Sequence, residues 1–264
     1  MKILIIGKKS FIAQNFIRKY LKDNKFFYFD LYFRNDYKKF LKKIYSYVLK
    51  RKINHIINFA GNNDNSLDLS EEKNILRDNF ILPISLVDLF KKKKINFTFF
   101  LSSEIDKIEN HDGNNLYALS KFFLKDSLRF ILKRNKISLI KIDNVYGPYD
   151  LNFNRLIPSL MLKLLFKEKI KINLRQRKRL IYVKDTLPII FNTIKNKKTI
   201  NIINVKGKEV NILNLWKKIN RMSEVKNKNI SKNNVFYNFS ETLQWYENNL
   251  LMLKKNIKKY NKTI

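Results

Sequence analysis

Short apolar runs, each closed by a turn residue and followed by a helical pattern, are what most restrict the fold of this chain. Residues 3–6 are wholly apolar and stop at Gly7, the pattern of a strand buried on both faces. Helical spacing follows at 13–21. Then come a strand at 25–30, a helix at 37–49, a strand at 55–59, a helix at 79–92, a strand at 98–101, a helix at 116–133 and a strand at 138–142. This alternation implies βαβ units, hence an α/β fold with a doubly wound parallel sheet covered on both faces. Such sheets bind ligands at the carboxyl ends of their strands. Gly7, the loop after Phe59, Ser103 and Asn144 all fall at such ends.

Beyond Asn144 the pattern loosens into helices at 157–166, 186–194, 212–222 and 241–255 and short strands at 170–174, 180–183 and 200–205. The expected division is a sheet domain at 1–150 and a smaller substrate-side lobe at 151–264, interleaved with the sheet. With four Pro and five Gly, no flexible linker is expected.

Composition excludes several classes. There is no Cys, so disulfides and thiolate metal sites are ruled out, and two His make a multi-His site improbable. No metal is therefore expected. The apolar N-terminal run is too short for a signal peptide. No stretch approaches the ~18 apolar residues of a membrane span, so the expectation is a cytoplasmic protein without a membrane partner. The formal charge of +33 would suit a nucleic-acid surface. However, Lys, Asn, Ile, Phe and Tyr are abundant together, and all five have codons rich in A and T. The lysines are scattered, as at Lys38-Lys39, Lys91 to Lys94 and Lys258-Lys259. The reading is a biased genome and no nucleic-acid partner; steep salt dependence of binding would mark the rival.

Tyr117 and Lys121 stand four residues apart in a helical segment, with Ser103 upstream. Residues at i and i+4 share a helix face. A free Tyr loses its proton near pH ~10. A cation about 5 Å away, at an effective dielectric of about 20, favours the phenolate by roughly 3 kcal/mol. That corresponds to about two pKa units, toward the range useful for proton transfer. The spacing alone also fits an ordinary exposed helix face.

The first turn, Gly7-Lys8-Lys9-Ser10-Phe11-Ile12-Ala13, sets Gly7, Ser10 and Ala13 where a dinucleotide fingerprint has glycines. Gly7 permits the tight turn, Ser10 is small enough for a pyrophosphate to approach, and the following helix N-terminus favours an anion. Asp30, ending the second strand, can accept the ribose hydroxyls of NAD. Lys8 and Arg34 could attract the extra phosphate of NADP, which leaves that cofactor open.

In this order the residues resemble the extended short-chain dehydrogenase/reductase family, the NAD-dependent epimerase/dehydratases that act on nucleotide sugars. The resemblance spans residues 3–185. Ile56-Ile57-Asn58-Phe59-Ala60-Gly61 resembles the third-strand segment along the cofactor. Asn79 resembles the helix Asn near it, and Leu101-Ser102-Ser103 the strand bearing the catalytic Ser or Thr. Tyr117-Ala118-Leu119-Ser120-Lys121 is similar to the YxxxK motif. Asn144-Val145-Tyr146-Gly147-Pro148 resembles the NVYGP segment, and 179–185 a late segment.

The resemblance implies an enzyme with a Rossmann domain for NAD and catalytic Tyr117, Lys121 and Ser103. It implies cofactor contacts at Gly7, Ser10, Phe11, Ile12, Asp30, Phe59, Ala60, Gly61, Asn79 and Lys121. Asn144 would meet the substrate's phosphate side, and Lys178 with Arg177 and Arg179 beside it could hold a diphosphate. It further implies a nucleotide-sugar substrate, a homodimer through the Tyr117 helix and its neighbour, and products that feed surface polysaccharide synthesis.

Two departures stand out. Glu104 and Ile105 follow Ser103, where the family's dehydratases carry two acids. This favours a 4-epimerase or a 4-keto reductase. Ile105-Asp106-Lys107 also replaces the family's aromatic-glycine signature. Together with Ser10, that change supports an alternative: a non-catalytic dinucleotide-binding relative with a scaffold or sensing role. His55 reads as structural, and His111 as a loop residue before Tyr117.

Overall fold

The computed structural model describes all residues except 23–24, 30–36, 63–68, 112–114, 132–135, 168–172, 174, 196–199, 225–234 and 261–264. Asp30, Arg34 and most of the strand expected at 170–174 thus lie outside the described residues. The chain forms two compact units: Met1–Asp143 with Thr186–Val205, and Asn144–Asp185 with Lys206–Ile264. Residues 144–150, expected in the first domain, belong to the second unit, and 186–205 return to the first. The return has a simple cause: the strand at 200–205 pairs with the last strand of the parallel sheet.

The first unit holds six parallel strands: β1 (Lys2–Ile6), β2 (Lys25–Phe29), β3 (His55–Asn58), β4 (Asn96–Ser102), β5 (Ile137–Ile142) and β8 (Ile200–Val205). Their order is β2-β1-β3-β4-β5-β8. Helices α1 (Phe11–Tyr20), α2 (Tyr37–Arg51), α3 (Leu69–Leu76), α4 (Leu82–Leu89), α5 (Ile105–Glu109), α6 (Leu116–Ile131) and α8 (Val183–Lys195) connect or flank them. A π-helical turn, Arg77–Ile81, joins α3 to α4, so the helix expected at 79–92 starts earlier, at Leu69, and bulges in its middle. From β1 the chain steps to β2 on one side, and β3 takes the other. That reversal is the topological switch point, where ligands bind in open α/β sheets.

The sheet is held by the apolar runs read in the sequence. Ile3, Leu4, Ile5 and Ile6 are fully buried. Phe40, Ile44 and Val48 of α2, Leu82 and Leu86 of α4, and Leu124 and Leu128 of α6 join Leu4 and Ile6 in one cluster. Burying each such side chain contributes roughly 1.5–3 kcal/mol. His55 sits among them, 2% exposed, with its Nε2 2.9 Å from Thr98 Oγ1. It is a structural residue, and burial lowers its pKa to about 3.

The second unit is built on a small sheet of β6 (Asn144–Tyr146), β7 (Arg177–Tyr182) and β9 (Lys208–Asn211). β6 runs parallel to β7, and β9 antiparallel to it. α7 (Leu156–Phe166), α9 (Ile212–Glu224), α10 (Val235–Asn248) and α11 (Leu250–Tyr260) complete it. The single helix expected at 241–255 is two helices that break at Asn249. Inside this unit the Tyr182 hydroxyl donates to Glu241 Oε2 at 2.5 Å, and Tyr146 stacks on Phe239 at 4.4 Å.

Candidate active site

Four chain segments of the first unit build the site at the carboxyl ends of β1, β3 and β4. The first is the turn after β1. Gly7 has φ +79°, and a β-carbon there would lie 2.5 Å from the Ala60 backbone nitrogen. Only glycine lets the two loops of the switch point close on each other. Ser10 differs, with φ −58° and ψ 137°, an ordinary conformation for any L-residue. Its N–H donates to Gly7 O at 3.0 Å, and its carbonyl accepts the first helical bond from Gln14. The Ser10 hydroxyl makes no capping bond to α1, so no Ser10 side-chain cap occupies that helix end. Phe11 and Ala13 are buried and Ile12 half-buried, pinning α1 to the sheet.

The second segment follows β3. Phe59 N–H donates to Ile6 O at 2.9 Å, and the Phe59 ring lies between Phe16 at 5.7 Å and Phe100 at 4.9 Å. Ala60 N–H donates to Asn58 Oδ1. Asn79, fully buried in the π-helical turn, bridges Asn62 in both directions. Its Nδ2 donates to Asn62 O at 2.6 Å, and its Oδ1 accepts from Asn62 N–H at 3.1 Å. A side chain thus imitates a strand partner and fixes the loop.

Ser103 is the third element, half-buried at the end of β4. Its N–H donates to Ile142 O, and its carbonyl accepts from Asp106 N–H. Next to it, Ile105 is fully buried, while Glu104 pairs with Lys107 at 2.6 Å. α5 replaces the aromatic-glycine signature and is tied down by Asp106 with Lys141 and Glu109 with Lys125.

The fourth is α6. Asn115 Oδ1 accepts the N–H groups of Tyr117 and Ala118 at 2.8 and 3.4 Å, an N-cap that starts the helix just ahead of the motif. Tyr117 and Lys121 come together one turn apart, Lys121 Nζ lying 6.0 Å from the Tyr117 ring centroid. Lys121 is 6% exposed. A β-carbon on Gly61 would be 2.9 Å from Asn79 Oδ1 and 3.4 Å from Lys121 Nζ, so the three converge on one spot. Burial lowers the Lys121 pKa to about 8, and the Asp78 carboxylate works against that fall.

Of the residues expected on the substrate side, Asn144 is exposed at the start of β6, and its Nδ2 donates to Arg179 O at 3.2 Å. On β7, side chains alternate. Lys178 shares a face with Leu180 and Tyr182, while Arg177 and Arg179 lie on the other face. Arg177 pairs with Glu209 at 3.0 Å. His111 is exposed with φ +60°. Asn115 and Asp78 escaped the sequence reading. An Asn two places before the motif Tyr was a readable cap signal; Asp78, one residue from Asn79, had none.

An open parallel sheet with a glycine turn at its switch point defines the dinucleotide-binding, Rossmann type of α/β domain. The sequence matches the NAD dependent epimerase/dehydratase family over residues 3–206, and the chain belongs to that family. No curated protein matches the sequence. Among solved structures, the Bordetella bronchiseptica enzyme WbmF in complex with NAD+ is similar, with TM-score 0.81 and 14% identity over 100% of this chain and 97% of that one. UDP-glucose 4-epimerase from Thermotoga maritima, with UDP-glucose, gives 0.78 and 14% over 95% and 100%. UDP-N-acetylglucosamine 4-epimerase from Methanobrevibacter ruminantium, with UDP-N-acetylmuramic acid, gives 0.77 and 17% over 94% and 98%. At these identities the likeness establishes the fold.

The family is NAD-dependent, and the residues here fit NAD. The Gly7 turn presents backbone without a side chain, and no Ser10 side chain caps the N-terminal N–H groups of α1. Lys121 and Asn79 converge on Gly61. Among the described residues no helix is long and apolar enough to cross a membrane, and no group of three acidic or histidine side chains could hold a metal.

Proposed function

We propose that the protein is an NAD(P)-dependent enzyme acting on a nucleotide-activated sugar, as a 4-epimerase or 4-keto reductase. The observation that carries this reading is the convergence of Tyr117, buried Lys121, Asn79 and Gly61 on one side of α6. In it, Tyr117 Oη holds the proton that moves to or from the sugar oxygen at the reacting carbon. The Lys121 ammonium favours the phenolate form of Tyr117 and orients the nicotinamide ribose. The Ser103 hydroxyl donates a hydrogen bond to the same sugar oxygen and stabilises charge there. NAD, when bound, supplies hydride acceptor and donor chemistry. Gly7, Ser10, Phe11, Ile12, Phe59, Ala60, Gly61 and Asn79 would hold it. Asn144, Lys178 and Arg179 would contact the substrate's phosphate side.

Loss of water from the sugar is not part of the proposal. That reaction would need a second acid after Glu104, and Ile105 there is a core residue with no exposed surface. A homodimer is part of it. Ile81 and Phe123 are 44% and 40% exposed on neighbouring helical segments, with Phe80 6.0 Å from Phe123, an apolar strip suited to a second copy.

The test is a panel of nucleotide sugars and 4-keto sugars with NADH and NADPH, followed at the nicotinamide absorbance. Product analysis must accompany it, because an epimerase recycles its cofactor within each turnover. Tyr117→Phe should lower turnover by about 10²–10⁴-fold with the fold intact. Full activity in that variant would sink the proposal.

A further inference from the structure

α5 has only five residues, Ile105–Glu109. A helix that short does not hold itself together in water, so its place depends on what its side chains grip. They grip β4, β5 and α6. Ile105, fully buried, lies in the apolar cluster with Leu101 of β4 and with Leu124 and Leu128 of α6. Asp106 Oδ1 accepts from Lys141 Nζ of β5 at 2.5 Å. Glu109 Oε1 accepts from Lys125 Nζ of α6. Glu104 pairs with Lys107 at 2.6 Å inside the same turn, a tie that reaches no other element. The ties to α6 and β5 are shielded: their lysines are 16% and 21% exposed, against 61% for Lys91 in its surface pair with Asp88. Salt screens such partly buried pairs less than surface ones.

What α5 holds is Ser103. The Ser103 N–H donates to Ile142 O of β5 at 3.1 Å, and its carbonyl accepts from Asp106 N–H of α5 at 3.1 Å. One backbone group is thus fixed by the sheet and the other by this short helix. On α6, Tyr117, Lys121 and Lys125 follow one another at steps of four, along a single ridge of the helix. Glu109 therefore links the segment that carries Ser103 to the row that carries the phenol and the amine.

We propose that Glu109 and Asp106 are positioning residues: through their lysine partners on α6 and β5 they make α5 a brace that sets how Ser103 stands relative to Tyr117 and Lys121. A hydroxyl that donates to the reacting oxygen loses effect when displaced by a fraction of an ångström, and the segment beside this one is pinned from both sides. The catalytic role of Ser103 is the one given under Proposed function; the brace itself does not depend on it.

The brace is tested in cofactor-free protein by amide hydrogen exchange, read by peptide mass spectrometry. Glu109→Gln and Lys125→Met each break the tie to α6 with little change of shape, and each should speed exchange across residues 103–110 about threefold. Combining them should add nothing further, and the swapped pair, Glu109→Lys with Lys125→Glu, should restore protection. Unchanged exchange in the single variants, or additive effects in the double, overturns the brace. If one single variant does not fold, the other decides. Once a substrate is found, Glu109→Gln should lower kcat about 3–10-fold with KM within about twofold. In a Ser103→Ala background the same substitution should change kcat by less than about twofold. A merely structural role gives the same loss in both backgrounds, and that result overturns the positioning role. If exchange responds while the wild type turns over no nucleotide sugar, the function proposed above fails and the brace stands.

Discussion

Replacing Lys121 by Met should make the cofactor-free protein more stable and leave it inactive. The magnitude follows from burial. The Lys121 pKa stands at about 8 in the folded chain against 10.5 when unperturbed, and each unit corresponds to about 1.4 kcal/mol. The sign is set by proton binding. Between pH 8 and 10.5 the unfolded chain holds more protons on this amine than the folded chain, so stability rises with pH through that window. Below pH 8 the full penalty is carried. It amounts to about 3 kcal/mol at pH 7 and about 1.5 kcal/mol at pH 9.5. Met has similar length and no charge, and Asp78 keeps Arg77 as its partner, so the variant should recover most of that. Urea unfolding of wild type and Lys121→Met at both pH values measures the gain. A variant less stable at pH 7, or a gain that does not shrink at pH 9.5, would refute the argument that the amine is held charged at a cost.

Three other outcomes are expected. Gly7→Ala forces a β-carbon to 2.5 Å from Ala60 N at φ +79°; it should cost about 1–3 kcal/mol and weaken NAD binding at least tenfold, read by thermal melting and by titration of nucleotide fluorescence. Buried His55, its pKa lowered to about 3, binds fewer protons folded than unfolded between pH 3 and 6.5. Stability should therefore fall by about 2 kcal/mol between pH 7 and pH 5, and His55→Phe should remove that part of the slope in urea titrations. Asn115→Ala removes the cap of α6, and should cost about 1 kcal/mol in the same assay.

Much of the first unit was legible because its signals are local. Ile3 to Ile6 followed by Gly7 announces a buried strand and a tight turn whatever surrounds them, and the structure keeps both. The four-residue spacing of Tyr117 and Lys121 puts them on one face of any helix. What those residues meet was not legible. Gly61 reads as a loop glycine, yet Asn79 and Lys121 converge on it. On β7 the three basic residues are equivalent in sequence. Pairing with β9 and burial of Leu180 and Tyr182 put Lys178 on one face and Arg177 and Arg179 on the other.

The residues by themselves determined the alternation of strands and helices, the glycine at the first turn and the phenol–amine pair. Each depends on neighbours within a turn or two, where backbone geometry fixes which side chains share a face. Only the tertiary structure decided that 186–205 returns to the first unit, that Lys121 is buried, and that it meets Asn79 at Gly61. Those outcomes depend on surfaces brought together from distant parts of the chain, and burial, which sets the cost of charge, exists only once they meet.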